Sequence, residues 1–270
     1  MTPHPRLSVS QMCTYPWSFD EELALWDELG VRTVGLVLAK VDDRARAALQ
    51  ERSMTATTVI IRNFDLTAPQ TWDATRAEVN CATDLAAQLG GSPYFTPGPG
   101  DGRPIGELTA ALAQAVAPCV QYAESRGVRL AIEPTARADR SFVHTLRDGL
   151  QVAEQAGVGI VADLGACWTE PDIEDTVRRA GSRIAVVQLC DAVRGKSDHS
   201  NRAVPGDGDL DIGAFVEATL EAGYTGGFEL ELVGPAIEAE GYAAATRRAV
   251  EHMSALLETV LPSATTGQRP

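Results

Sequence analysis

Short apolar runs alternate along the chain with longer stretches in which apolar residues recur every three or four positions. The runs read as strands: Leu7–Gln11, Thr33–Leu38, Thr57–Arg62, Pro93–Thr96, Arg129–Glu133, Gly159–Asp163, Ile184–Cys190 and Phe228–Leu232. The amphipathic stretches, rich in Ala, Leu, Glu and Arg, read as helices: Glu21–Leu29, Asp42–Glu51, Trp72–Leu89, Leu108–Arg126, Leu146–Gln155, Ile173–Ala180, Ile212–Ala222 and Tyr242–Leu261. Ser18 and Glu21 in "SFDE" make a capping box before the first helix, and Gly30, Gly90, Gly127, Gly157 and Gly223 follow helix ends. Strict strand–helix alternation implies a parallel sheet. Eight such units in 270 residues predict a single (β/α)8 TIM barrel over residues 1–261, with a polar, unstructured tail at 262–270. The competing architecture is an open doubly wound sheet. It would place a Gly-rich turn after the first strand, and "SVSQMCTYPW" is not one.

Composition narrows the functional classes. The net charge is −14, from 37 acidic and 23 basic residues, which argues against a nucleic-acid partner. No apolar run reaches the length of a membrane span, and "MTPHPRLSVS" lacks the apolar core of a signal peptide; a cytoplasmic protein is expected. The five cysteines form no CxxC pair and read as reduced, mostly buried thiols.

Barrel sites lie at the C-terminal ends of the strands. The first four strands show no convergent set of polar residues there. The last four do: Glu133 ends "RLAIE", Asp163 ends "GIVAD", Gln188 precedes Asp191 in "VVQLCD", and Glu231 stands in "FELEL". Three carboxylates at one barrel rim repel, and a divalent cation relieves them. The all-oxygen set favours Mn²⁺ or Mg²⁺, with Co²⁺ or Zn²⁺ next. Along the last strand Glu229 and Glu231 share a face. Glu231, nearer the C-terminal end, is expected in the site. Glu229, one layer deeper, is expected to pair with an inward Arg such as Arg129.

On these residues the chain resembles the sugar phosphate isomerase/epimerase family with a xylose isomerase-like barrel. The most specific stretch is "RAVPGDGDLDIGAFVEATLEAGYTGGFELEL", Arg202 to Leu232, supported by "LAIEP" and "VVQLCDA". The resemblance implies metal ligands at Glu133, Asp163, Gln188 and Glu231, with Glu133 and Glu231 also acting as the acid/base pair. It implies substrate contacts from Arg194, six residues beyond Gln188, and from His199 and Arg202 in the same loop. Two departures stand out: Gln188 occupies a position where most relatives carry His, and Ala166 one where a substrate-binding His is common. Cys167 and Trp168 beside Ala166 would then shape the pocket, with Tyr15 and Lys40 as further contacts. The chain has only four histidines, too few for the His-rich, three-metal endonucleases of the superfamily.

The implied activity is a metal-dependent isomerisation or epimerisation of a sugar-like hydroxy-ketone through a metal-stabilised enediolate, on a small carbohydrate or cyclitol. The alternatives are a dehydratase or other lyase using the same proton abstraction, with His199, Lys40 or Tyr15 as acid for the leaving group, and a non-catalytic sugar-binding subunit. Members of the family are often dimers or tetramers, so the resemblance admits a homodimer or homotetramer here.

Overall fold

The structure, a computed structural model, describes residues 2–261, so the expected tail at 262–270 lies outside the described residues. Eight strands, β1 (Leu7–Ser10), β2 (Thr33–Val37), β3 (Thr55–Ile60), β4 (Ser92–Phe95), β5 (Ala131–Ile132), β6 (Gly159–Asp163), β7 (Ile184–Leu189) and β8 (Phe228–Leu230), pair in parallel and in chain order. β8 closes on β1 with Glu229 opposite Ser8, completing the (β/α)8 barrel. The α-helices are α1 (Phe19–Leu29), α2 (Asp43–Glu51), α3 (Trp72–Leu89), α4 (Ile105–Ser125), α5 (Leu146–Ala156), α6 (Leu164–Cys167), α7 (Ile173–Ala180), α8 (Ile212–Glu221), α9 (Pro235–Glu240) and α10 (Tyr242–Val260). Eight of them match the periodic stretches. The short α6 and α9 are additions: each is a turn or two at the rim, too brief to show a helical period in the sequence.

Local signals place the ends. Ser18 and Glu21 form the reciprocal capping box at α1, with the Ser18 N–H donating to Glu21 Oε2 at 2.8 Å. Gly30 closes the same helix at φ +69°, a left-handed conformation that costs glycine little. Between barrel and helices lies the main core, with Trp26, Phe95, Phe215 and Leu112 fully buried. Four of the five cysteines, Cys13, Cys119, Cys167 and Cys190, are buried free thiols and Cys81 is exposed. Among the described residues no helix is long and apolar enough to cross a membrane.

The barrel interior is layered by the two-residue period of its strands. Tyr94, Ala131, Val161 and Val186 form a compact inner cluster. Two residues further along the chain, Glu133, Asp163 and Gln188 take the next layer toward the C-terminal mouth; Glu229 of β8 stands opposite Gln188, and Glu231, just past the end of β8, is one layer nearer the mouth. Apolar packing below thus fixes the height at which the polar residues stand.

Candidate active site

Glu133, Asp163, Gln188 and Glu231 are all buried, between 0% and 9% exposed, and they meet in one place. The Gln188 amide Nε2 faces three oxygens: Glu231 Oε2 at 2.5 Å, Glu229 Oε1 at 2.9 Å and the Tyr94 hydroxyl at 3.0 Å. Its Oε1 is buried and has no hydrogen-bond partner among the described residues. Tyr94 also donates to Glu231 at 3.4 Å. β4 therefore contributes to the site, although the first four strands show no convergent set of polar ends in the sequence. The missed signal was the alternation in "SPYF", which turns Tyr94 inward beside Ala131.

Among the described residues, Arg202 supplies the guanidinium of the cluster. It is 4% exposed and grips both Asp163 oxygens, at 2.5 and 3.2 Å. It also reaches Glu231 Oε1 at 3.5 Å and donates to the Glu231 carbonyl at 3.0 Å. Gly165 makes room for this: a Cβ there would stand 2.6 Å from the Arg202 head. One cation against three carboxylates leaves an excess of negative charge in a buried place. Burial, then Glu231, then Asp163 push the Glu133 carboxyl well above the usual range, and Asp163 lies within hydrogen-bonding reach of it. Burial likewise lifts Glu231 to about 7, although Arg202 pulls it down. Burial alone would lower the Arg202 value, but Asp163 and Glu231 outweigh it and hold the guanidinium charged.

Glu229 turns out to be a support. Its partners are not Arg129, which sits exposed at the opposite mouth and donates to the Ser182 carbonyl. They are Thr58 Oγ1 at 2.8 Å, Thr57 Oγ1 and the Gln188 amide. Two successive threonines reach one carboxylate because the β2–β3 register slips after Val34, leaving Thr57 as a bulge residue. Hydroxyl and amide donors can satisfy Glu229 whether or not it is ionised. Burial, opposed by these hydrogen bonds, raises its pKa. Gly35 in the middle of β2 permits the fit, since a Cβ there would lie 2.3 Å from Glu229 Oε2. Gly35→Ala is expected to cost about 1–3 kcal/mol through overpacking. A urea midpoint unchanged from wild type would show that Glu229 can move aside.

The other expected contacts divide. Tyr15 and His199 line the cavity above the cluster. The His199 Nδ1 lies 3.0 Å from the Gly165 carbonyl, so that nitrogen carries the proton and Nε2 is left as an acceptor. Lys40 does not line the cavity: its ammonium is taken by the buried Glu22 and by the Tyr15 carbonyl at 3.0 Å. Glu22 in turn accepts from Gln11 Nε2 at 2.7 Å and Thr14 at 3.1 Å, so Lys40 belongs to a network tying the β1 and β2 loops to α1. Arg194 is exposed and outside the cavity wall. Its main-chain N–H donates to Asp209. Of the two arginines that the resemblance implied, Arg202 and not Arg194 brings its guanidinium to the cluster. Trp168 packs against the hydrophobic core and also stands outside the wall. The cavity measures about 850 Å³ and opens above Glu133 and Glu231.

A barrel whose C-terminal mouth gathers acid, amide and guanidinium groups over a pocket is the arrangement of a small-molecule TIM-barrel site. The chain belongs to the xylose isomerase-like TIM barrel family, whose profile matches residues 18–256. A search of curated protein sequences finds no match. Among solved structures, a protein of Sinorhizobium meliloti 1021 is similar with TM-score 0.81 and 23% identity, covering 93% of this chain and 98% of that one. The IolI protein, solved with a bound zinc atom, has TM-score 0.81 and 16% identity over 96% of this chain and 100% of its own. An L-ribulose 3-epimerase has TM-score 0.76 and 19% identity, with both chains fully covered. At these identities the structural likeness bears on the fold.

Proposed function

We propose that the protein is a divalent-metal-dependent isomerase or epimerase of a sugar-like hydroxy-ketone, with Glu133 and Glu231 as the proton-transfer pair. The observation that carries this reading is the pair itself. Two buried carboxyls, both with raised pKa, face one cavity from strands three apart in the barrel. Two such groups suit removal of a proton on one side of a carbon and its return on the other. The similar L-ribulose 3-epimerase and the zinc-bearing IolI protein agree with it.

The residues fit a hard cation by their chemistry. Glu133, Asp163 and Glu231 offer ionisable oxygens, and Gln188 Oε1 is a buried acceptor without a donor among the described residues. As the side chains stand, no three His, Cys, Asp or Glu groups among the described residues are gathered closely enough to hold an ion. Arg202 occupies Asp163 instead. When bound, the ion supplies polarisation of the substrate carbonyl and neutralises the charge that develops on it. Gln188 orients Glu231 through its amide, Tyr94 holds the same carboxyl from the other strand, and His199 Nε2 can accept from a substrate hydroxyl. Incubation with a panel of ketoses and Mn²⁺ in D₂O, read by NMR, tests the reading. Deuterium at the carbon next to the carbonyl together with an epimer or an aldose is expected. Loss of water would assign a lyase instead, and no exchange with any ketose would count against both.

Metal dependence has a second readout. A carboxyl whose folded pKa exceeds its unfolded value binds its proton more tightly in the native state, so native stability falls as pH rises. For Glu231 the window runs from its ordinary 4.5 to about 7, and Glu133, raised by burial and by Glu231, acts in the same direction. The metal-free protein should therefore lose Tm across this window. Mn²⁺ should raise Tm more at pH 8 than at pH 6, because its ligands must be ionised. Equal Mn²⁺ effects at the two pH values would contradict the ligand assignment.

A further inference from the structure

We propose that the substrate of this pocket carries an anionic group, a carboxylate or a phosphate, held at the rim by Arg137 and Arg140. This rests on reading the pocket as the substrate site and adds the class of substrate it takes.

The chain has a net charge of −14, yet the lining of the cavity above the cluster includes Arg62, Arg137 and Arg140. Arg62 is neutralised by Glu78, which also lines the wall. Arg137 and Arg140 are not. They share a single carboxylate, Asp139, which lies 2.8 Å from Arg137 and 3.6 Å from Arg140. Arg140 has no other acidic partner among the described residues, so one unit of positive charge at the rim is left uncompensated. A guanidinium fork matches carboxylate and phosphate oxygens two at a time.

The two arginines are also held in place. Their loop is stitched to the β4 loop by the Gly98 N–H donating to the Arg140 carbonyl at 3.0 Å, and Gly98 pairs with Ser141 as an isolated bridge. Ser141 is fully buried, and its hydroxyl donates to the Val143 carbonyl at 2.6 Å and accepts from the Val143 N–H at 2.9 Å. The Thr135 N–H donates to the same carbonyl at 3.1 Å. A rim cation on a braced loop needs little ordering when an anion arrives.

The floor makes the orientation one-way. At the bottom of the cavity the Arg202 guanidinium is already engaged by Asp163, beside Glu133 and Glu231, while the rim offers a guanidinium without a carboxylate of its own. A substrate with one neutral, reacting end and one anionic end is therefore drawn in with the neutral end down. At about 850 Å³ the cavity has room for both ends. It stands in the upper part of the range of about 300–1,000 Å³ for pockets that enclose whole small ligands.

The test is calorimetric titration of the Mn²⁺-treated protein with D-fructose, D-fructose 6-phosphate and 5-keto-D-gluconate. The last two add a phosphate and a carboxylate respectively. At least one anionic ketose is expected to bind tenfold or more tightly than D-fructose, and the tighter one identifies the group. The preference should shrink in 0.5 M NaCl, because rim charges are screened. In the Arg137→Ala/Arg140→Ala double variant, whose changed side chains are largely solvent-facing, the ratio should fall to within twofold. A wild-type protein with no preference for either anion, or a double variant that keeps the preference, overturns the proposal. The readout is binding and not turnover. A protein that exchanges no proton can still pass, and one that works only on neutral ketoses fails.

Discussion

Glu231→Gln is expected to lower the rate of proton exchange on a ketose substrate by about 10²–10⁴-fold, the usual worth of a positioned acid or base. The fold should survive. Glutamine keeps the shape, its carbonyl oxygen can still accept from the Gln188 amide, and Arg202 keeps both oxygens of Asp163. In the metal-free protein the change removes a buried carboxyl whose pKa burial has raised to about 7, so above that pH the variant should be no less stable than wild type. Glu133→Gln should cost a similar factor. The double variant should cost little more than either single one, because two groups that hand one proton across a carbon act as a unit. The decisive control is metal content. A Glu231→Gln protein that retains bound Mn²⁺ and full exchange would remove Glu231 from the chemistry, while loss of Mn²⁺ with loss of exchange would leave it a ligand only.

The barrel was legible because its signal is periodic. Each strand repeats every two residues, each helix about every 3.6, and the alternation of the two admits few architectures. The polar residues ending β5 to β8 were legible for the same reason: once a strand is placed, its last inward residue is placed too. What escaped was set by contacts across the barrel, which no local period carries. Tyr94 reads as an ordinary core aromatic until closure brings its hydroxyl to Gln188 and Glu231. Thr57 and Thr58 reach Glu229 only through a slip in register. Lys40 looks like a free cation at a strand end, but α1 brings Glu22 beneath it. The family resemblance implied contacts from both Arg194 and Arg202; the loop after β7 is long enough to fold back, so of the two it is Arg202, pinned by its N–H on the Val233 carbonyl, that enters the cluster.

That folded-back loop depends on Asp191, and Asp191→Ala is expected to be the most destabilising single change near the site. The carboxylate is 2% exposed and accepts four main-chain N–H bonds: from Ala192 at 2.8 Å and Leu210 at 3.2 Å on one oxygen, and from Gly206 at 3.0 Å and Gly208 at 2.9 Å on the other. The chain is shaped to this carboxylate. Gly206 adopts φ +97°, and a Cβ on Gly208 would stand 2.2 Å from Asp191 Oδ1. Truncation leaves four donors facing a hole. A hydrogen bond to a charged group is worth about 1.5–3 kcal/mol, so if water replaces half of the four, the remaining loss is about 3–6 kcal/mol. For a domain of this size that lowers Tm by about 6–24 °C. Asp191→Asn should fall between, since an amide offers one acceptor oxygen and turns its own N–H groups toward two of the donors. His199 and Arg202 ride on the same loop, so Asp191→Ala should also weaken ketose binding in whatever fraction stays folded. An Asp191→Ala protein melting within about 2 °C of wild type, a loss under ~1 kcal/mol, would show that the four amides find other partners and that the loop holds its shape without the carboxylate.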